Sequence, residues 1–141
     1  VTSVFLVDTS AWTQTLRRNG DAAVRLRVEA MIAANQAAWC DPVRLELWNG
    51  VRGATERARL RQLEQSLVVL PITGAVWDSA CSLAERARTG GLNVPAVDIV
   101  VFACAREYGV GLEHRDKHFA LLSTLARIIQ PPPSASGLLV V

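Results

Sequence analysis

Short apolar runs alternate with helix-forming stretches along the whole chain, and that alternation limits the folds open to it. Val4–Val7, Ala37–Cys40, Leu67–Leu70, Val110–Glu113 and Arg127–Ile129 are too short for helices and read as strands. Between the first two, Val24, Val28, Met31 and Ile32 recur at helical spacing while Arg25, Arg27 and Glu29 fall elsewhere around the cylinder. Helix signals punctuate the rest. Asp8-Thr9-Ser10 offers capping side chains after the first strand, and Asp41-Pro42 reads as N-cap and first helical residue after the second. Thr55 to Gln65 and Thr73 to Arg88 read as helices, the second closed by Gly90-Gly91. Asn93-Val94-Pro95 opens an apolar helix that runs to Tyr108 and stops at Gly109, and a last helix spans Lys117 to about Thr124. Such a chain is expected to form an α/β fold: a central, mostly parallel five-stranded sheet with helices on both faces and right-handed crossovers.

With 141 residues, half of them apolar, residues 1–130 can bury a core as one domain without disulfides or a structural metal. The remainder, 131–141, has linker composition in Pro131-Pro132-Pro133-Ser134-Ala135-Ser136-Gly137. No apolar run approaches the roughly 20 residues that cross a bilayer, and the first residues lack a signal-peptide pattern. A cytoplasmic protein with no membrane partner is expected. Cys40, Cys81 and Cys104 have no zinc-like spacing and read as buried, reduced thiols. The net charge is only +2, yet the basic residues are arginines apart from Lys117. Arginine binds phosphate bidentately and stacks on bases, so this bias permits a nucleic-acid partner. The tryptophans, Trp12, Trp39, Trp48 and Trp77, read as core or interface residues.

Four acids stand where such a fold delivers side chains to one edge. Asp8 follows the first strand and Asp116 the fourth, at the carboxyl ends where open parallel sheets collect ligands. Glu46 and Asp98 are expected to reach the same edge from first helical turns, where the helix dipole favours an anion. Uncompensated, these carboxylates would repel and raise one another's pKa; a bound cation removes the conflict. Oxygen ligands without a His or Cys set favour Mg²⁺, with Mn²⁺ as alternative, over zinc. The chemistry that follows is metal-assisted attack of water on a phosphodiester.

Each acid also has a plainer reading. Asp8 can serve as an N-cap, and Asp116 can cap a solvated turn in His114-Arg115-Asp116-Lys117-His118, where His118 reads as a surface or helix-start residue. Asp41 takes the capping role ahead of Pro42, which leaves Glu46 a turn deeper beside Leu45, Leu47 and Trp48. Asp98, between Val97 and Ile99-Val100-Val101-Phe102, would be costly to bury unpaired.

Phe5-Leu6-Val7-Asp8-Thr9-Ser10-Ala11-Trp12, Glu46-Leu47-Trp48-Asn49-Gly50, Asp98-Ile99-Val100-Val101-Phe102-Ala103 and Arg115-Asp116-Lys117-His118-Phe119 together resemble the four signatures of PIN-domain proteins, and among these the VapC toxins of toxin–antitoxin modules. The resemblance spans Val4 to about Ile129. It implies a three-layer α/β/α PIN-like nuclease domain, a Mg²⁺- or Mn²⁺-dependent endoribonuclease, a cognate VapB-type antitoxin and a homodimer. By position it makes Asp8 and Asp98 the principal metal ligands, Glu46 and Asp116 their complement directly or through water, and Thr9 and Ser10 supports of that shell. His114 stands two residues before the last acid, where the family usually has Thr or Ser. Two other readings compete: a different metal-dependent phosphohydrolase, against which Ser10 stands where a second acid would be needed, and an RNA- or protein-binding PIN module with weakened catalysis.

Overall fold

A computed structural model describes residues 3–129. Four strands separated by pairs of helices, seven helices in all, make up these residues: β1 (Phe5–Val7), α1 (Thr9–Leu16), α2 (Ala22–Ala33), β2 (Ala37–Trp39), α3 (Asp41–Asn49), α4 (Gly53–Ser66), β3 (Val68–Val69), α5 (Gly74–Thr89), α6 (Ala96–Tyr108), β4 (Gly111–Glu113) and α7 (Lys117–Ile129). The strands form one sheet in the order β3-β2-β1-β4, every pairing parallel. From β1 the chain moves outward through β2 to β3, then returns to place β4 on the other side of β1. The strand order therefore reverses between β1 and β4, and the crevice for a ligand opens beyond their carboxyl ends.

The expected fifth strand is absent from the described residues. Arg127–Ile129 instead completes α7, because Phe119, Leu122 and Ala126 keep recurring on one buried helical face and the helix runs on past Thr124. The tail, residues 131–141, lies outside the described residues.

The core is built where the sheet meets the helices. Leu6 and Val7 of β1, Ala38 and Trp39 of β2, Val43 of α3, Val101 of α6 and Phe119 and Leu122 of α7 are buried. Trp12 and Trp39 meet edge to face, with ring centroids 6.2 Å apart, an arrangement worth about 1 kcal/mol beyond the area buried. Around the sheet, α1 packs on α2 and α3, while α5, α6 and α7 pack on one another. Trp48 is half-buried and donates Nε1–H to Glu64 at 2.7 Å, whereas Trp77 is exposed. Cys40 and Cys104 are buried as expected, but Cys81 is exposed because it lies on the outer face of α5, away from buried Ala80 and Leu83.

Two glycines set the approach to the crevice. Gly109 ends α6 in the left-handed conformation at φ 64°, which lets Val110 N–H bond back to Ala105 and turns the chain into β4. Gly111 pairs with Phe5 across the β1–β4 ladder, and a Cβ there would lie 2.7 Å from the Phe5 ring. The missing side chain is what lets β4 lie flush beside β1.

Candidate active site

Asp8 leaves β1 in extended conformation, and its backbone N–H donates to Glu113 of β4 at 2.9 Å, so its side chain emerges at the reversal point of the sheet. The carboxylate is buried and caps α1: Oδ2 accepts from Ser10 N–H at 2.9 Å and from Ser10 Oγ–H at 2.6 Å. Capping and cleft location thus coincide in one residue. Ser10 Oγ also accepts from Arg115 N–H at 2.9 Å, tying the start of α1 to the loop after β4.

Asp98 is set in the first turn of α6 and is 9% exposed. Its helix packs apolar residues on nearly every side, with Ile99, Val101, Phe102 and Ala103 all buried, so the carboxylate reaches the cleft from within the core. Asp116 arrives from the β4–α7 loop and accepts from His118 N–H at 2.9 Å. Ligand atoms of Asp98, Asp116 and His118 all lie within 4.8 Å of one another. His118 Nδ1 stands 2.8 Å from Asp116 Oδ1 and 3.2 Å from Asp98 Oδ2. These are ion-pair distances, but neither approach is aligned as a hydrogen bond. Among the described residues, Asp98 Oδ2 and His118 Nδ1 are therefore buried without a hydrogen-bond partner.

Burial, then the charges of Asp116 and Asp8, push the Asp98 carboxyl up to about 7, against a downward pull from His118. Burial also acts to raise Asp116, but the backbone N–H and the imidazole of His118 outweigh it and hold that carboxyl below its ordinary value. One acid holds its proton to neutrality while its neighbour ionises readily. An orphaned buried oxygen on an electrostatically frustrated carboxylate fits a divalent cation, which would satisfy the oxygen and quench the repulsion.

Glu46 sits in the second turn of α3, not the first, because the helix begins at Asp41. Cys40 is still extended at the end of β2 and takes the N-cap position, so Asp41 is helical and makes no capping bond; its carboxylate lies 3.6 Å from Arg44. Glu46 accepts from Thr9 Oγ–H at 2.7 Å, which links it to the residue after Asp8. Asp8 and Glu46 stand outside the tight set formed by Asp98, Asp116 and His118. Asp8 acts on that set through its charge, and Glu46 is linked to the end of β1 through Thr9.

His118 stands at a helix start, one of the two places expected for it, as the second residue of α7 and not on the open surface. Its ring turns inward between two acids, because Asp116 caps the first turn of α7 and draws the imidazole back over the loop. An imidazole thus stands within reach of two of the acids. The available signal is the placement of a histidine two residues after an acid at a helix start. His114 is engaged locally as well: its Nδ1 accepts from Asp116 N–H at 3.3 Å while its ring lies against Phe119, centroids 4.8 Å apart.

A depression of about 160 Å³ borders the site, lined by Thr9, Thr13, Glu46 and Leu47 among others. It shares Leu16, Arg17 and Glu56 with a wider groove of about 610 Å³ into which Arg18, Arg25 and Arg52 also face. Arg25 bonds the backbone carbonyls of Arg17 and Arg18 at 2.7 and 3.2 Å, which fixes the turn that presents them.

The family model for the PIN domain matches residues 5–125. Ribonuclease VapC18 of Mycobacterium tuberculosis is 32% identical over 120 residues, covering 82% of this chain and 85% of that protein. The VapC ribonuclease Mb1587 of Mycobacterium bovis is 28% identical over 128 residues, covering 89% and 96%. Among solved structures, FitAcB from Neisseria gonorrhoeae superposes with a TM-score of 0.68 at 20% identity over 86% of this chain and 94% of that one. The sarcin–ricin loop cleaving toxin VapC20 of Mycobacterium tuberculosis gives 0.65 at 20% identity over 83% and 93%. The chain belongs to the PIN-domain family.

Proposed function

We propose that the protein is a divalent-metal-dependent endoribonuclease of the VapC type, the toxin of a toxin–antitoxin pair. The observation that carries this reading is the buried, unpartnered Oδ2 of Asp98 meeting Asp116 at the sheet's reversal point, with Asp8 close enough to raise its pKa. Relatives over most of the chain are named as ribonucleases. The groove that carries Arg17, Arg18, Arg25 and Arg52, with Glu29 and Glu56 as its acids, joins the depression at Glu46 and adds a surface suited to a phosphate backbone.

In this reading Asp8, Asp98 and Asp116 hold Mg²⁺ or Mn²⁺, and Glu46 completes the site directly or through water. The bound ion supplies Lewis-acid chemistry, activating water at neutral pH and offsetting charge on the phosphate. The chain's own residues do the rest. Ser10 fixes the rotamer of Asp8 through two bonds to one oxygen, and Thr9 holds Glu46 in place. Arg17 and Arg18 draw the RNA backbone along the groove so that a phosphodiester lies at the acids. Water's oxygen bonds to phosphorus, one P–O ester bond breaks, the proton released by the water passes to a carboxylate, and the leaving oxygen is protonated from solvent.

No helix among the described residues is long and apolar enough to cross a membrane, and we place the protein in the cytoplasm with its RNA substrate. VapBC2 from Rickettsia felis was solved bound to a DNA fragment from its promoter, and a VapB-type partner is proposed here too. Leu45 is 70% and Trp77 50% exposed, and both face a groove of about 800 Å³ that also touches Glu46. This surface suits a protein partner, antitoxin or second copy, better than RNA. Purified protein incubated with total RNA and Mg²⁺ or Mn²⁺ is the test. Defined fragments that vanish on chelation and return with added metal support the proposal, and metal-independent or absent cleavage rejects it.

A further inference from the structure

We infer that His118 is itself a metal ligand, through Nδ1, and that the resulting nitrogen-containing donor set makes the site select a first-row transition ion over Mg²⁺. The inference rests on the metal centre proposed above and adds a residue and a preference to it. The geometry is that of ligands already gathered. Adjacent donors in an octahedral shell with bonds of about 2.05 Å are about 2.9 Å apart, and Nδ1 lies 2.8 Å from Asp116 Oδ1 and 3.2 Å from Asp98 Oδ2. A histidine serving only as an ion-pair partner would aim its N–H at one carboxylate. Here Nδ1 lies close to both carboxylates and is buried with no hydrogen-bond partner among the described residues. A cation shared with the two acids would give both Nδ1 and the equally unpartnered Asp98 Oδ2 a partner.

The remaining ring is partly open, with 24% of the His118 side chain accessible, so Nε2 can keep its proton while Nδ1 offers its lone pair. The imidazole is held by its own chain: its backbone N–H bonds Asp116, and the next residue, Phe119, is buried in the core. A nitrogen donor gains little from Mg²⁺, which prefers oxygen and gives up water reluctantly, and more from transition ions. Three carboxylates, from Asp8, Asp98 and Asp116, and one imidazole would leave open positions for water and substrate in a six-coordinate shell.

The test uses the whole purified chain, stripped of metal and loaded with Mn²⁺, read by electron spin-echo modulation. The chain has only two histidines, His114 and His118. The expected result is imidazole nitrogen modulation in the wild type that changes from ¹⁴N to ¹⁵N on histidine labelling, survives His114→Gln and disappears in His118→Gln. Competition calorimetry should show the preference for Mn²⁺ over Mg²⁺ falling about tenfold in His118→Gln. Mn²⁺ that binds, is lost in Asp98→Asn, and shows no histidine modulation in the wild type overturns the inference and leaves the carboxylate site standing. Absence of any Mn²⁺ binding overturns both. Should His118→Gln not fold, the labelled wild-type spectrum and His114→Gln decide alone.

Discussion

Ser10 joins Arg115 across the site, its Oγ accepting the Arg115 backbone N–H at 2.9 Å while donating to Asp8 Oδ2 at 2.6 Å. One hydroxyl thus connects the cap of α1, the carboxylate at the end of β1 and the loop that carries Asp116. Ser10→Ala should lower stability by about 1 kcal/mol, since part of the cap and a loop tether go with it. RNA cleavage should fall more than stability accounts for, about tenfold, because Asp8 loses its fixed rotamer and the Asp116 loop its anchor. Thermal melts and single-turnover cleavage measure the two effects separately. A variant with full activity removes Ser10 from the supporting shell.

Asp98 makes the metal-free protein sensitive to pH. Its folded pKa, about 7, lies above its ordinary 3.8, so the fold favours the protonated acid, and stability should decline as pH rises from about 4 to about 7 and then level off. Asp116 has the opposite sign. Its carboxyl is held low, so its contribution is present above 3.8 and is lost only as pH falls further. Asp98→Asn should therefore melt higher than wild type at pH 8 without metal, while losing metal binding and cleavage. Metal competes with the Asp98 proton, so apparent affinity should weaken up to about tenfold per pH unit below about 7. Melting curves from pH 4 to 8, with and without Mn²⁺, check both statements.

Arg17 lines both the depression at Glu46 and the wider groove beside it, and Arg18 lines the groove. If they carry RNA phosphates, Arg17→Glu/Arg18→Glu should weaken RNA binding and flatten its salt dependence by a slope of about 0.7 for each phosphate no longer neutralised. The metal site should be untouched, so Mn²⁺ affinity serves as the control. Unchanged RNA affinity would move the RNA path elsewhere and leave this groove to a protein.

Gly111 tests the seat of β4. A Cβ at this position meets Phe5 at 2.7 Å, and Gly111→Val should destabilise the protein by about 1–3 kcal/mol through overpacking. Because β4 feeds the Asp116 loop, cleavage should fall in parallel, and Phe5→Leu in the same chain should recover part of both.

Much of this arrangement is legible in the sequence because strand-to-helix handovers are written locally. Asp8 with Thr9-Ser10, and Gly109 after Tyr108, each carry their own capping chemistry, and the structure keeps both boundaries. The elements that depart from the local pattern depend on tertiary packing. Arg127-Ile128-Ile129 has strand composition, yet Phe119, Leu122 and Ala126 commit the segment to a helix against α5 and α6. Asp41 has no capping role because β2 stays extended through Cys40. His118 keeps its helix-start place, and only its position after Asp116 hints at its role: the ring meets Asp98 once α6 and the β4–α7 loop come together. The order of the acids along the chain is readable; the tight pairing of Asp98 with Asp116, and the link of Glu46 to Thr9, emerge only from the fold.

Diffraction at the manganese edge from crystals grown with Mn²⁺ examines the metal centre itself. The expected result is an anomalous peak at coordinating distance, about 2.1 Å, from carboxylate oxygens of Asp98 and Asp116, with Asp8 facing it directly or across one water and Glu46 on the same side. A peak out of reach of Asp98, or no peak at a concentration where the protein cuts RNA, would contradict the account.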